Sequence, residues 1–580
     1  MLGMLIKVSI TAVLVSLLSV PAFAQVNLNN ESERQLQLLE QRQRLREEQL
    51  RATPDVRLDL PASVTLDIIP MDESPCFIIH TITLEEADGS KPASPFTQAL
   101  KETLNTRSNP ESPTGLLGHC FGAQGINVIM RRLQNNIIKR GYVTTRIVAG
   151  PQALKTGVLK LTVISGSIGD IELRSSKGSR PPLKALLPFK KGDLLNLRNI
   201  EQALEDLKRL PSVTVDIKVV PTEGEDAAAG QSDLVIIWEQ NRPWRAGIAV
   251  DNSGSESTGV YQSTVSLAYD NALRLNDTLS LNFGNDLGGA RPGSGGSHSF
   301  SWNYSFPVGL WRFSLNGNRF DFFQTIDGAF EDLRFTGSSR SYIGGVSRLL
   351  YRNSVRKIDV GVDVWTRKSN NFIEDVEILT QRRRTGGYEL RTNYREFIGR
   401  STVSGSASYR RGTGLGNALE APEELSGEGS ARAAIIKANL HWTTPFQVAN
   451  QSLRYSTQFR GQWNRDPLTA QDRFSLGSNL TVRGTDGEIT LSGERGWLLR
   501  NDIEIKTPFS NQWAYVGLDY GYVNSSTNEL PRDWLAGSAL GVRGFYSSIS
   551  YDASIVAPTN APEGFGIRRP SIFFSLAWQY

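Results

Sequence analysis

The chain has 580 residues, too many for one core, so several domains are expected. Its 63 Lys+Arg against 59 Asp+Glu leave a formal net charge of +4. That near balance excludes a dedicated nucleic-acid binder, which carries a basic face or stripe.

The N-terminus reads as an export signal. Lys7 precedes the apolar run VSITAVLVSLLSV, and Ala22-Phe23-Ala24 follows it. A basic start, a short apolar core and a small-residue site predict a signal peptide over residues 1–24, cut after Ala24. The run is short for a membrane anchor. Residues 25–52 contain ESERQLQLLEQRQRLREEQLRA, which has no Gly or Pro and consists of strong helix formers. Its few leucines leave it polar nearly all round, which suits wet surroundings better than a core. Residues 53–74, with several prolines, read as an extended linker.

Two small α/β units are predicted next, at 75–165 and 166–242. In the first, FIIHTITLEE reads as one strand, and Ile126, Ile129, Met130, Leu133 and Ile137 mark a helix face. VTTRIV and GVLKLTVI follow as strands. In the second, GDIEL is a strand, and Leu197, Ile200, Leu204 and Leu207 form the next helical stripe before VTVDIKVV and SDLVIIWEQ. The recurring order of helix, strand, strand points to a duplicated module. Cys76 and Cys120 lie in the first unit, and in an oxidising compartment a disulfide is expected. Zinc is the rival, since His80 and His119 are also present. The adjacent His119 and Cys120 do not have the usual ligand spacing, so no metal site is expected.

From Pro243 to Tyr580 the apolar period becomes two. Tyr261, Val265, Leu267 and Tyr269 alternate with polar or small residues, as do Phe300, Trp302, Tyr304 and Phe306, then Trp311, Phe313 and Leu315. The chain ends on Ile572, Phe574, Leu576, Trp578 and Tyr580, all on one face. An aromatic-laden apolar face, a polar face that carries charge and an export signal together predict an outer-membrane β-barrel. The region holds about 16 antiparallel strands at roughly ten membrane residues each. Late in it comes LGSNLTVRGTDGE. An Arg on so glycine-rich a loop is useful if the loop folds into the lumen, where a buried guanidinium needs a carboxylate. Asp519, in YVGLDYGYV, is the best candidate.

These residues resemble the outer-membrane transporters of two-partner secretion, which share a superfamily with the barrel-assembly insertases. Val482-Arg483-Gly484 is similar to that family's V-R-G-F/Y signature on the long sixth loop, and Asp519 and Gly521 to its partner motif. Asp486, Gly487 and Glu488 complete the loop stretch. Position 485 departs from the pattern, with Thr in place of an aromatic, which implies looser anchoring or heavier reliance on the ion pair. GHCFGAQGINVIMRRLQNNIIKRGYVTTRIVAGPQ looks like the first polypeptide-transport-associated (POTRA) repeat of the exporters of contact-dependent growth-inhibition toxins.

The resemblance implies a plug helix over 25–52, two periplasmic POTRA repeats and a barrel that passes an unfolded exoprotein outward. Its implied partners are a large exoprotein with an N-terminal secretion domain, outer-membrane lipid, and the barrel-assembly machinery for its own insertion. It implies no cofactor and no nucleic acid. No G-x-x-x-x-G-K-[ST] loop is present to bind nucleotide.

Three other readings compete. An assembly insertase shares the Arg-Gly loop, but the polar helix and the presence of only two repeats stand against it. A barrel-wall hydrolase would have only His298 and His441 to draw on, and no nucleophile-base-orienter set emerges. A passive porin would not need the periplasmic modules.

Overall fold

The computed structural model describes residues 56–58, 70, 73–105, 115–177, 181–224, 227–289, 293–326, 331–485, 489–524, 533–562 and 570–580. The expected signal peptide and the plug helix at 25–52 lie outside the described residues, as do Asp486, Gly487 and Glu488.

The first unit comprises β1 (Phe77–Ile79), β2 (Thr81–Glu86), α1 (Ser94–Asn105), β3 (His119–Phe121), α2 (Ala123–Lys139), β4 (Arg146–Val148) and β5 (Val158–Ile164). The expected single strand FIIHTITLEE is two. The amides of His80 and Thr81 both donate to the Gly157 carbonyl, which breaks the run. β1 then pairs with β3 and β2 pairs with β5, in separate sheets. The β1–β3 ribbon carries the Cys76–Cys120 disulfide. Ile129, Leu133 and Ile137 are fully buried as expected, while Ile126 and Met130 pack at the margin of the same core.

The second unit comprises β6 (Ser167–Lys177), α3 (Leu183–Leu186), α4 (Leu197–Lys208), β7 (Val213–Pro221) and β8 (Gln231–Gln240). Asn196 caps α4 by accepting from the Arg198 amide at 2.8 Å, and Leu197, Ile200, Leu204 and Leu207 face the core. The two sheets have one topology, β2-β5-β4 and β6-β8-β7, with the first pair parallel and the second antiparallel. The repeat read from the sequence is therefore a repeat of fold.

Sixteen long strands, from Trp244–Asp251 to Ser571–Gln579, close into an antiparallel barrel. A two-residue strand, Val376–Glu377, adds to the end of one of them. Among the described residues no helix is long and apolar enough to cross a membrane, and strands make the crossing. Tyr261, Val265, Leu267, Tyr269, Trp311, Phe313, Leu576 and Trp578 all point outward and are exposed. The polar residues that alternate with such side chains point inward: Asp363, between the exposed Val362 and Val364, meets Arg391 at 2.5 Å. Turns at one rim are short and those at the other long, which sets the periplasmic and outer ends.

The second repeat is docked on the short-turn rim through α4. Glu201, Gln202, Glu205 and Asp206 are buried. Arg352 donates to Glu205 at 2.7 Å and to Gln202 at 2.9 Å, and lies 3.4 Å from Glu201. Lys357 also pairs with Glu205, and Arg312 with Asp206 at 3.1 Å. Burial tends to raise the Glu205 carboxyl, but Lys357 and Arg352 more than offset it and hold it below the usual glutamate range. Three linker residues enter the same joint. The Val56 side chain lies in the core of the second repeat, and its carbonyl accepts from Arg352 at 2.5 Å. The Leu58 amide donates to Glu201 at 3.0 Å, and the Arg57 guanidinium stacks on Phe397.

Candidate functional site: a lumen loop seated on the barrel wall

The long loop between the strands Gln451–Asn464 and Arg495–Lys506 folds inward, and its tip is the Val482-Arg483-Gly484 turn. Val482 is fully buried among Leu476, Leu491, Leu498, Val523 and Leu535, so apolar contacts bring the tip to the wall. Arg483 then makes a two-pronged pair with Asp519, Nε to Oδ2 at 2.7 Å and Nη2 to Oδ1 at 2.5 Å. Its backbone amide donates to the same carboxylate at 2.9 Å. Asp519 stands on the strand Gln512–Asn524, opposite Arg500 in register. The expected Arg483–Asp519 partnership is thus present in the structure, with both side chains buried.

Several partners escaped sequence reasoning. Asp502 is a second carboxylate, 2.8 Å from Arg483 Nη2. Arg543 holds Asp502 at 2.8 Å, approaches Glu504 at 3.2 Å and stacks 3.7 Å over the Tyr515 ring. Tyr515 in turn donates to Asp552 at 2.8 Å. Alternation along NDIEIK and GVRG placed these groups on an inward face, but only cross-strand register brings them together.

Glycines shape the seat. A Cβ at Gly517 would overlap the Arg483 guanidinium, one at Gly537 the Arg483 carbonyl, and one at Gly521 the Leu476 side chain. Gly521, expected from the sequence, therefore has a steric reason, and Gly517 and Gly537 join it. Gly484 has φ +92°, and a side chain there would strike the Ala557 backbone. Thr485, which stands where an aromatic was expected, is buried and donates to the Val482 carbonyl at 2.8 Å. It closes the turn internally in place of ring packing. Thr481 closes the other side, accepting from the amides of Gly477 and Ser478.

The first repeat offers a second feature. A groove of about 660 Å³ runs along α2 and β4, lined by Gln124, Asn127, Val128, Met130, Arg131, Gln134 and Ile147. β4 is an edge strand. The Gln134 carboxamide covers its free side, donating to the Thr145 carbonyl at 2.7 Å and accepting from the Ile147 amide at 3.0 Å. It mimics one residue of a missing strand.

His298 lies within the strand Gly295–Val308, and His441 meets Thr443 at 2.9 Å. Among the described residues no group of His, Cys, Asp and Glu is placed to hold a metal, and the two cysteines are disulfide-bonded.

A closed barrel with two periplasmic α/β repeats and an Arg loop seated in its lumen defines an outer-membrane transporter of the POTRA-barrel class. Residues 230–544 match the family described as haemolysin secretion/activation protein ShlB/FhaC/HecB, residues 167–221 a POTRA domain and residues 110–166 a ShlB-type POTRA domain. The outer membrane transporter CdiB-2 of Burkholderia pseudomallei is 32% identical over 535 residues, 91% of this chain and 90% of that protein. The solved structure of CdiB from Acinetobacter baumannii superposes with TM-score 0.82 at 29% identity, over 95% of this chain and 99% of that one. CdiB from Escherichia coli shares the fold, with TM-score 0.78 at 22% identity over 95% and 99%. The chain belongs to the ShlB/FhaC/HecB family of outer-membrane secretion transporters. Its barrel lies in the outer membrane and its repeats in the periplasm.

Proposed function

We propose that this chain exports a large, unfolded exoprotein from periplasm to cell surface, and that the client is a contact-dependent inhibition toxin or a haemagglutinin-like protein. The full-length likeness to CdiB transporters supports the toxin class. The first repeat receives the client: an extended segment adds to β4 by strand addition, replacing the Gln134 carboxamide with true backbone partners. The client then passes through the lumen without nucleotide hydrolysis, and folding outside prevents its return. No enzymatic step is involved. The working division is signal peptide 1–24, plug helix 25–52, linker 53–74, POTRA repeats 75–165 and 166–242, and barrel 243–580. The chain also meets lipid around its aromatic belt and uses the barrel-assembly machinery for its own insertion.

The observation that carries the role of the loop is the doubly paired Arg483, buried between Asp519 and Asp502. Removing one member of a buried pair costs about 3–5 kcal/mol, enough to release the tip. Arg483→Ala is expected to lower export sharply while the barrel still inserts, and normal export would exclude the loop from the process. Deleting residues 31–52 is expected to raise ion conductance in a planar bilayer, and unchanged conductance would remove the plug from the scheme. An insertase would instead deplete many barrel proteins when deleted, whereas an exporter loses one exoprotein.

A further inference from the structure

The lumen loop touches the barrel in a second place, far from Arg483 in the strand order. Before reaching its tip, the chain passes through a short helical turn, Ala470–Asp472. There Asp472 accepts from Arg367 Nη2 at 3.1 and 3.2 Å, and Gln471 Nε2 donates to the Ser369 hydroxyl at 2.8 Å. Arg367 and Ser369 lie on the strand Arg356–Ile373, six places round the barrel from the Asp519 strand. Arg367, Ser369 and Gln471 are all buried. The Asp472 carbonyl also accepts from Gln462 at 2.7 Å, so the turn is held from its own stem as well.

The loop therefore does not hang from one wall. It leaves the strand Gln451–Asn464, touches down at Arg367, and returns to touch down at Asp519. Its stem is fixed too, since Arg411 meets Asp466 at 2.7 Å and Glu494 accepts from the Leu468 amide at 3.1 Å. A strap held at two walls has fewer accessible positions than one held at its tip. Arg483 pairs with Asp519 and Asp502 in a glycine-shaped seat, and Asp472 pairs with Arg367 in a comparably buried contact.

We propose that Arg367, with Ser369, is a positioning residue for export, forming through Asp472 and Gln471 a second mooring that stretches the lumen loop across the pore. This rests on the reading that the loop takes part in export.

The test uses trypsin and ion conductance on the full chain in detergent and in planar bilayers. Arg473 adjoins the mooring, so its cleavage reports whether the turn is held. Arg367→Met and Asp472→Asn are each expected to raise cleavage after Arg473 roughly tenfold, because proteolysis follows the population of the released state. Both are expected to raise the frequency of open events in KCl. The exchanged pair R367D with D472R restores the original protection, which a merely structural loss at either site would not do. Unchanged cleavage and conductance in Arg367→Met overturns the proposal, as does failure of the exchanged pair to restore protection in a correctly inserted barrel. Arg483→Ala is measured alongside. If it blocks export while Arg367→Met leaves Arg473 protected, the loop keeps its role and the second mooring falls. If Arg483→Ala exports normally, the role of the loop falls, and protection at Arg473 still decides whether the mooring exists.

Discussion

In the first repeat the second helix, α2, turns Gln124, Asn127, Arg131 and Gln134 towards an open groove. The matching helix of the second repeat, α4, has Glu201, Gln202, Glu205 and Asp206 sealed against Arg312, Arg352 and Lys357. The inner faces of both helices do the same work, burying Ile129, Leu133 and Ile137 in one and Ile200, Leu204 and Leu207 in the other. One fold thus presents two different outer faces, one lining a groove and one docked on the barrel rim. Amides and the Arg131 guanidinium line the groove beside α2, while three carboxylates commit α4 to a basic rim.

The strongest way to break this contrast is to reverse a charge under α4. Glu205→Lys places a cation beside Arg352 and Lys357, and disrupting such a buried pair costs about 3–5 kcal/mol. Spin labels introduced at Lys208→Cys and Ala449→Cys, with the native cysteines already paired, are expected to show a broadened distance between repeat and barrel. An unchanged distribution would mean that α4 does not dock through its charges.

A milder perturbation is acid. The folded Glu205 carboxyl titrates below its ordinary value of 4.5. Its contribution is therefore complete above that value and is lost as the pH falls through the depressed one. The same label pair should hold one distance from pH 7 to about pH 5 and loosen below it. Loosening on the alkaline side instead would assign the joint to other groups.

The smallest change sharpens the other half of the contrast. Gln134→Ala removes the carboxamide that covers β4. Freeing two backbone groups for a client segment, at about 1 kcal/mol, should tighten binding of the client's secretion domain roughly fivefold. Weaker binding would show that Gln134 itself contacts the client.

What could be read from the sequence followed from periodicity. Alternation of the kind seen at Trp311, Phe313 and Leu315 places an apolar face on a strand whatever its neighbours, so the barrel was legible. The helical stripes of α2 and α4 were legible for the same reason. The break at His80 was not, because it depends on the Gly157 carbonyl, far along the chain, accepting from the His80 and Thr81 amides. Within the site, Arg483 and Asp519 stood out as charges among glycines. Asp502, Arg543 and the seat formed by Gly517 and Gly537 did not. Their meaning lies in which strands are neighbours and in which register, and no local pattern carries that. The Arg367 contact was hidden more deeply still, since it joins residues 105 apart in sequence, one on a strand and one on the loop.

The clamp on Val56 and Leu58 has a mechanical corollary. With one side chain in the core of the second repeat and its carbonyl on Arg352, the linker has a fixed point at the barrel rim. A tug on the chain before Val56 is borne by that rim and does not reach the first repeat, which begins beyond Glu73. The two ends of the linker are thereby insulated from each other, and strain passes between them only once the clamp gives way.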